Sequence, residues 1–194
     1  MTPSSQPCLR HWRGWLGAAE ADGWLEQLQR EVPWKQESIT VYGHRHAMPR
    51  LTCWMADPGC GYRYSGLENA IEPWTPLISA IRRRVAAAAA QEFNSLLLNF
   101  YRNGRDAMGW HADDEPELDP EACIASLSLG ASRTLRFRSR QRDMAPTLAV
   151  ELGHGDLLLM DPPTQRHWQH GLPRRLKVDA ARLNLTFRLV RRPA

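Results

Sequence analysis

The sequence predicts an α+β fold in which helices precede a β-sandwich, with a jelly roll among the candidate architectures. Three observations carry this. After Phe93 the chain breaks into short alternating segments almost to its end, as the strands of a sandwich do. The clearest helical pattern, Thr75 to Ala89, lies ahead of them. No internal repeat or linker divides the 194 residues, a length that suits one domain, 1–194, able to bury most of its unfolded surface.

In chain order, residues 1–10 read as a loose tail. Trp24, Leu25 and Leu28 give Trp15 to Arg30 a helix-like pattern, weakened by Gly17 and Gly23. Tail and helix together form a first region, 1–38. From Ile39 to Gly66 the residues change to short segments rich in Gly, Pro, Tyr and Trp, as in hairpins and a loop-rich surface, and define a second region, 39–75. Thr75 can cap the next helix, Pro76 suits its first turn, and Leu77, Ile81, Val85 and Ala89 recur every four residues. Arg82, Arg83 and Arg84 lie largely off that stripe and read as a solvated face. Strands are expected at Ser95–Tyr101, Ile124–Leu129, Thr134–Arg140, Thr147–Leu152, Asp156–Met160 and Arg182–Val190, in a third region, 95–190. Asn103-Gly104 and Asp161-Pro162-Pro163 punctuate them as turns.

Hydrophobic residues make up 43% of the chain and charged residues 24%, ordinary for a globular protein. Eight tryptophans are many for this length. Trp12, Trp15, Trp24, Trp34, Trp54 and Trp74 come early and read mostly as core. The net charge is +4, and the only lysines are Lys35 and Lys177. Arginine grips phosphate in a bidentate fork and stacks on bases, which is compatible with nucleic acid, although a high-GC genome favours arginine codons regardless. Cys8, Cys53, Cys60 and Cys123 form no C-x₂-C pair and no zinc spacing, so they read as reduced thiols of a cytoplasmic protein. Arg10, His11 and Arg13 interrupt the N-terminus, and neither a signal peptide nor a membrane span is expected.

One spacing carries chemistry. His111 and Asp113 are separated by one residue, His170 follows far downstream, and Arg182 comes twelve residues later. Two imidazoles and one carboxylate leave half of an iron(II) octahedron open, which suits non-haem oxygen chemistry. On an extended segment His111 and Asp113 point the same way. His170 has a rival ligand in His167. In the C-terminal strand Arg182, Asn184, Thr186 and Arg188 share one face, and Leu183, Leu185 and Phe187 share the other. In Ser95–Tyr101 the residues Asn99 and Tyr101 oppose Leu96, Leu98 and Phe100. Two guanidiniums, two amides, a hydroxyl and a phenol suit a small dianion held inside a sandwich.

The segments Asn99-Phe100-Tyr101-Arg102-Asn103-Gly104, Gly109-Trp110-His111-Ala112-Asp113-Asp114-Glu115, His167-Trp168-Gln169-His170-Gly171-Leu172-Pro173 and Arg182-Leu183-Asn184-Leu185-Thr186-Phe187-Arg188 closely resemble the AlkB family of Fe(II)- and 2-oxoglutarate-dependent dioxygenases. The likeness runs from about Ile39 to Arg188. It implies a double-stranded β-helix, or jelly roll, with the N-terminal helices packed against it. It further implies His111, Asp113 and His170 as iron ligands, selecting His170 over His167 because His170 directly precedes Gly171-Leu172-Pro173. Asn99, Tyr101, Arg182, Asn184, Thr186 and Arg188 would hold 2-oxoglutarate, Arg182 at the distal carboxylate and Arg188 near the carboxylate beside the iron. With O₂ as the other co-substrate, the implied reaction is hydroxylation of a methyl group on a base nitrogen, releasing formaldehyde, succinate and CO₂. The expected substrate is DNA carrying lesions such as 1-methyladenine and 3-methylcytosine. RNA, a protein side chain, or nucleic-acid binding without catalysis are the alternatives.

A base inside a duplex cannot reach such a metal, so it must be extruded or come from a single strand. Val41-Tyr42-Gly43-His44 and Gly61-Tyr62-Arg63-Tyr64-Ser65-Gly66 resemble the substrate-contacting hairpin and loop of the family's DNA-repair branch that favours duplexes. By that likeness Tyr42 is a wedge filling the vacated stack, Tyr64 stacks on the damaged base, and Tyr62 lines the pocket. Gly43, His44 and Arg63 belong to the same contacting segments. The compared branch carries phenylalanine where Tyr42 and Tyr64 stand, so the aromatic faces survive with added hydroxyls. Asp114 or Glu115 would accept from an exocyclic amine. Apart from any family, Arg136, Arg138, Arg140 and Arg142 alternate along a strand and, with Arg133, form a stripe that could follow a phosphate backbone. An edge strand protected by charge explains the stripe almost as well. The expected protein is a monomer with no membrane contact.

Overall fold

The computed structural model describes residues 6–41, 43–60, 63–64, 67–68, 71–141 and 146–191. Its elements run β1 (Leu9–Trp12), α1 (Ala18–Glu31), β2 (Ser38–Val41), β3 (His44–Ala47), β4 (Leu51–Ala56), β5 (Arg63–Tyr64), β6 (Leu67–Glu68) and α2 (Pro76–Ala89). The strand-rich part follows as β7 (Ser95–Tyr101), β8 (Met108–His111), β9 (Ile124–Gly130), β10 (Arg133–Ser139), β11 (Leu148–Leu152), β12 (Leu157–Met160), α3 (Pro162–His167), β13 (Trp168–Leu172) and β14 (Arg182–Arg188). Strands β1-β12-β9-β14-β7-β4 form a six-stranded sheet and β11-β10-β13-β8 a four-stranded one, every neighbour antiparallel. This is a jelly-roll α+β fold. Strands β2 and β3 form a separate hairpin, and β5 and β6 a short ladder.

Alternation in β14 and β7 builds the layers. Leu183, Leu185 and Phe187 are fully buried and join Leu96, Leu98, Ile78, Ile81 and Val85 in one core cluster, so this face of the large sheet packs on the helices. Burying each such side chain contributes roughly 1.5–3 kcal/mol before chain entropy is counted. The opposite face looks into the sandwich, where Tyr101, Leu135, Phe137, Met160, Trp168 and Leu172 close a second cluster. Helix α2 begins as its sequence requires, with Thr75 Oγ1 accepting from Ile78 N–H at 3.2 Å and Pro76 in the first turn.

The structure corrects several expectations. Leu9–Trp12 is no tail: as β1 it pairs with β12 at the edge of the large sheet. Buried Asp156 locks that strand in place, accepting from Gly14 N–H at 2.8 Å, Gly153 N–H at 2.8 Å and His11 Nε2 at 3.0 Å. Asp161-Pro162-Pro163 opens the helix α3, prolines being tolerated where helical N–H groups lack partners. Strands β4, β8 and β13 carry no clean alternation in sequence and emerge only from sheet pairing. Arg82 and Arg84 are not simply solvated. Arg82 pairs with Asp57 at 2.7 Å over the Trp74 ring, and Arg84 pairs with Glu20 beside Trp15 and Trp24. Of the six early tryptophans only Trp54 is buried; Trp15, Trp24, Trp34 and Trp74 pack half-buried against the core, and Trp12 is exposed. At the Asn103-Gly104 turn a Cβ on Gly104 would fall 1.8 Å from the Arg175 carbonyl oxygen, which explains the glycine. Among the described residues no helix is long and apolar enough to cross a membrane.

Candidate active site

His111 ends β8, and His170 faces it from β13 in direct register. Between this pair and Leu172 ↔ Met108 the pairing shifts, so β8 carries a bulge at Gly109 and Trp110 opposite Gly171. The bulge lets both Met108 and His111 line the same cavity despite their odd spacing. Gly171 makes this possible, since a Cβ there would lie 3.2 Å from the Gly109 oxygen and 3.3 Å from that of Met108.

Asp113 sits beyond the end of β8, so strand alternation does not aim it. Two contacts do. Its backbone N–H donates to Gln165 Oε1 at 3.0 Å, and its Oδ1 accepts from an Arg188 nitrogen at 2.5 Å. One ligand atom from each of His111, Asp113 and His170 falls within 4.8 Å of the others. His167 at the end of α3 is outside this group. The triad can hold a metal: Asp113 Oδ2 is buried with no hydrogen-bond partner, and His170 Nε2 lies 3.8 Å from it. His111 Nδ1–H donates to the Gly109 carbonyl at 2.9 Å, which leaves Nε2 as the ligating nitrogen.

The electrostatics keep all three in ligating form. Burial opposes ionisation of Asp113, but Arg188, His170 and His111 outweigh it and hold its pKa down at about 2. Burial and the neighbouring His111 push His170 down to about 3, against the pull of Asp113. Burial likewise lowers His111, partly offset by Asp113. Two neutral imidazoles and a carboxylate face one another, the donor set that iron(II) accepts with open positions left over.

The polar face of β14 lines the same cavity. Asn99, Tyr101, Arg182, Asn184, Thr186 and Arg188 all line it. Arg182 is 2% exposed and donates to Ser128 Oγ at 2.9 Å, with its guanidinium 5.5 Å from the Tyr101 ring centroid. No carboxylate among the described residues pairs with it, and its Nε is buried without a hydrogen bond. Burial lowers its pKa to about 10. A buried cation left uncompensated calls for an anion, and the distal carboxylate of 2-oxoglutarate fits that need. Asn184 donates to Ser126 Oγ at 2.7 Å and Thr186 Oγ1 to Asn184 Oδ1 at 2.9 Å.

Sequence reasoning missed four of these residues. Ser126 and Ser128 were legible as polar positions two apart in an apolar strand. Arg50, buried and donating to Asn99 Oδ1 at 2.8 Å, and Gln165 gave no signal, because each acts across a tertiary contact.

The substrate side is described in part. Tyr42, Tyr62 and Arg142 lie outside the described residues, as do the side chains of Arg63 and Tyr64, whose backbone forms β5. Gly43, at φ +78°, closes the β2–β3 hairpin beside exposed His44. Asp114 is exposed and pairs with Arg140 at 2.5 Å, while Glu115 is half-buried beside Asp113. The arginine stripe needs correction. Arg133 points inward, 1% exposed, and donates to the carbonyls of Asn103, Asp106 and Pro173, so it cannot follow a phosphate backbone. Arg136, Arg138 and Arg140 are exposed.

Comparison with known proteins places this geometry. Residues 8–188 match the profile described as the 2OG-Fe(II) oxygenase superfamily. The chain is 41% identical over 184 residues to the DNA oxidative demethylase ALKBH2 of Mus musculus, covering 90% of this chain and 77% of that protein. It is 38% identical over 197 residues to the alpha-ketoglutarate-dependent dioxygenase alkB homolog 3 of Homo sapiens, covering 97% and 68%. A solved structure described as that of OsALKBH1 superimposes with a TM-score of 0.62 at 20% identity, over 94% of this chain and 98% of that one, a likeness of fold.

Proposed function

The chain belongs to the 2OG-Fe(II) oxygenase superfamily, and on that premise we propose that it is an oxidative demethylase repairing N-alkylated bases, of the 1-methyladenine and 3-methylcytosine type, in DNA. The observation that carries the reading is the meeting of a complete His-Asp-His triad with the uncompensated Arg182 cation in one cavity. His111, Asp113 and His170 hold Fe(II). Arg182 takes the distal carboxylate of 2-oxoglutarate, with Asn99, Tyr101, Asn184 and Thr186 around it, and Arg188 lies by the end nearest the iron. Fe(II), 2-oxoglutarate and O₂ together supply oxidation of the N-methyl group, which leaves as formaldehyde while 2-oxoglutarate becomes succinate and CO₂. The protein's own share is to fix the register of these groups and exclude water.

The names of the relatives support DNA as substrate. Tyr42, Gly43, His44, Tyr62, Arg63 and Tyr64 receive the extruded base, a reading supported by Gly43 and exposed His44 lying at the turn of the β2–β3 hairpin. Glu115 accepts from the exocyclic amine, joined by Asp114 once Arg140 releases it. Arg136, Arg138 and Arg140 follow the phosphates, so binding weakens with salt. The protein acts as a single-domain monomer in the cytoplasmic compartment. A merely binding module on this fold would have no use for a full set of metal and co-substrate residues.

The test is incubation with Fe(II), 2-oxoglutarate and methylated oligonucleotides, DNA and RNA, single- and double-stranded, following methyl loss and succinate. DNA demethylation with matching succinate is expected. Absence of both with every oligonucleotide overturns the enzymatic reading, and turnover on RNA alone overturns the DNA assignment. His111→Ala and Asp113→Ala abolish turnover while the fold stays intact, Asp113→Ala with lowered stability because it leaves Arg188 buried without its partner; activity in either sinks the ligand set.

A further inference from the structure

We propose that Trp110 stacks an unpaired base of the strand flanking the lesion, in single-stranded or locally opened DNA. This rests on the nucleic-acid reading above. Trp110 occupies the bulge of β8 next to His111 and is 39% exposed on the outer face of the four-stranded sheet. Its neighbours on that face are Gln169, adjacent to His170, and Arg138, which pairs with Gln169 across β10 and β13. The Arg138 guanidinium lies 4.6 Å from the Trp110 ring centroid and is held by two bonds to Gln169 Oε1, at 3.0 and 2.8 Å. An indole with a fixed guanidinium over its ring, both solvent-facing, offers a nucleotide an aromatic surface for its base and a cation for its phosphate.

A second exposed tryptophan shows what sets this one apart. Trp12 also lies near an arginine, Arg10, at 6.0 Å, but Asp161 neutralises Arg10 through two bonds at 2.6 and 3.1 Å. Arg138 bonds only to a neutral amide, and no carboxylate among the described residues pairs with it. Among the described residues nothing neutralises that charge, and Arg136 on the same face adds another. The row also leads somewhere. Arg138, Ser139, Arg140 and Gln169 line an open cleft, and Arg140 reaches Asp114, next to the triad. A strand lying along the cleft would therefore pass from Trp110 to the edge of the catalytic centre. A base held in a duplex presents no free face to an indole, so the occupant is unpaired.

The test measures binding of labelled single strands carrying 1-methyladenine, a trimer and a nonamer, by fluorescence anisotropy with Fe(II) and 2-oxoglutarate under anaerobic conditions. Demethylation is measured in parallel in air. Trp110→Ala is expected to weaken nonamer binding about 5- to 100-fold and trimer binding far less. Trp110→Phe retains most of the affinity, and Trp12→Ala binds as the wild type does. Equal loss at both lengths, no loss, or an equal loss in Trp12→Ala overturns the proposal. Should Trp110→Ala fail to fold, photocrosslinking of the unaltered protein to a nonamer with 5-iodouracil beside the lesion decides. A crosslink to the peptide bearing Trp110 supports the platform, and crosslinks confined elsewhere overturn it. If no strand is demethylated the enzymatic reading falls, while anisotropy and crosslinking still report on Trp110.

Discussion

Arg188 and Asp113 meet inside the sandwich at 2.5 Å, each with 1% of its side chain exposed, although 75 residues separate them. The pair joins β14 of the large sheet to the loop that follows β8 of the small one, and it aims the carboxylate whose other oxygen faces two histidines. Breaking a buried pair by removing one partner costs about 3–5 kcal/mol, because the remaining charge stays buried. Arg188→Met is therefore expected to lower unfolding free energy by about that much in a denaturant titration of the metal-free protein, and to weaken Co(II) binding followed by absorbance. Unchanged values in both would remove Arg188 from the support of Asp113.

Gln165 holds the same residue by its backbone, accepting from Asp113 N–H at 3.0 Å. Losing such support around a metal site typically costs about 10- to 100-fold in metal affinity or activity. Gln165→Met, of similar length but without the acceptor, should show that loss in Co(II) titration. Gln165→Glu keeps the acceptor oxygen and should recover part of it. Equal behaviour of the two variants would mean that Gln165 only fills space.

Arg182 makes opposite demands on stability and catalysis. Its buried, uncompensated cation burdens the fold, so Arg182→Met is expected to raise the melting temperature of the protein without 2-oxoglutarate. The same change should raise KM for 2-oxoglutarate about 30-fold or more, the cost of losing one partner of a buried charge pair. A lower melting temperature, or an unchanged KM, would contradict the assignment.

Gly171 lets β13 approach the bulge of β8. Gly171→Ala places a methyl 3.2 Å from the Gly109 oxygen, and the strands must part to admit it. The expected cost is about 1–3 kcal/mol in thermal or denaturant unfolding. Because His111 leans on the Gly109 carbonyl, metal affinity should fall with it. Stability lost without any change in metal binding would separate the two.

Asp156 gives a pH signature away from the site. Burial would raise its pKa, but the Gly14 and Gly153 N–H groups and His11 outweigh that and lower it from the usual 3.8. The folded carboxylate thus stays ionised at pH values where the unfolded one is protonated. Its stabilisation is full above the usual value and is lost as pH falls through the lower folded one. Asp156→Asn should flatten stability against pH below about 4, read from melting curves across that range. A variant with an unaltered acid slope would show that Asp156 contributes nothing to it.

Particular residues show how far the sequence could be read. The sandwich, the α2 helix and most strand positions in the second half followed from periodicity, because a strand buried on one face must alternate. Arg182 to Arg188 are the clearest case: the two faces read from sequence are the helix-packed face and the cavity face of the structure. Strands β8 and β13 resisted the same reading. A bulge at Gly109 and Trp110 breaks the period of two, and such a bulge is set by the partner strand. Arg133 was legible in principle, since it shares parity with Leu135 and Phe137, yet its charge suggested the surface.

By itself, the sequence determined which chemistry is available: two imidazoles, a carboxylate, and a polar strand face rich in arginine, in an order that resembles one family of oxygenases. Tertiary structure alone decided how that chemistry is aimed. Asp113 lies past its strand and is turned inward by Gln165 and Arg188, His170 is brought into register with His111 by sheet pairing, and Arg182 is buried without a counter-charge. These are contacts between residues far apart in the chain, and local periodicity, which acts over a few residues, carries no record of them.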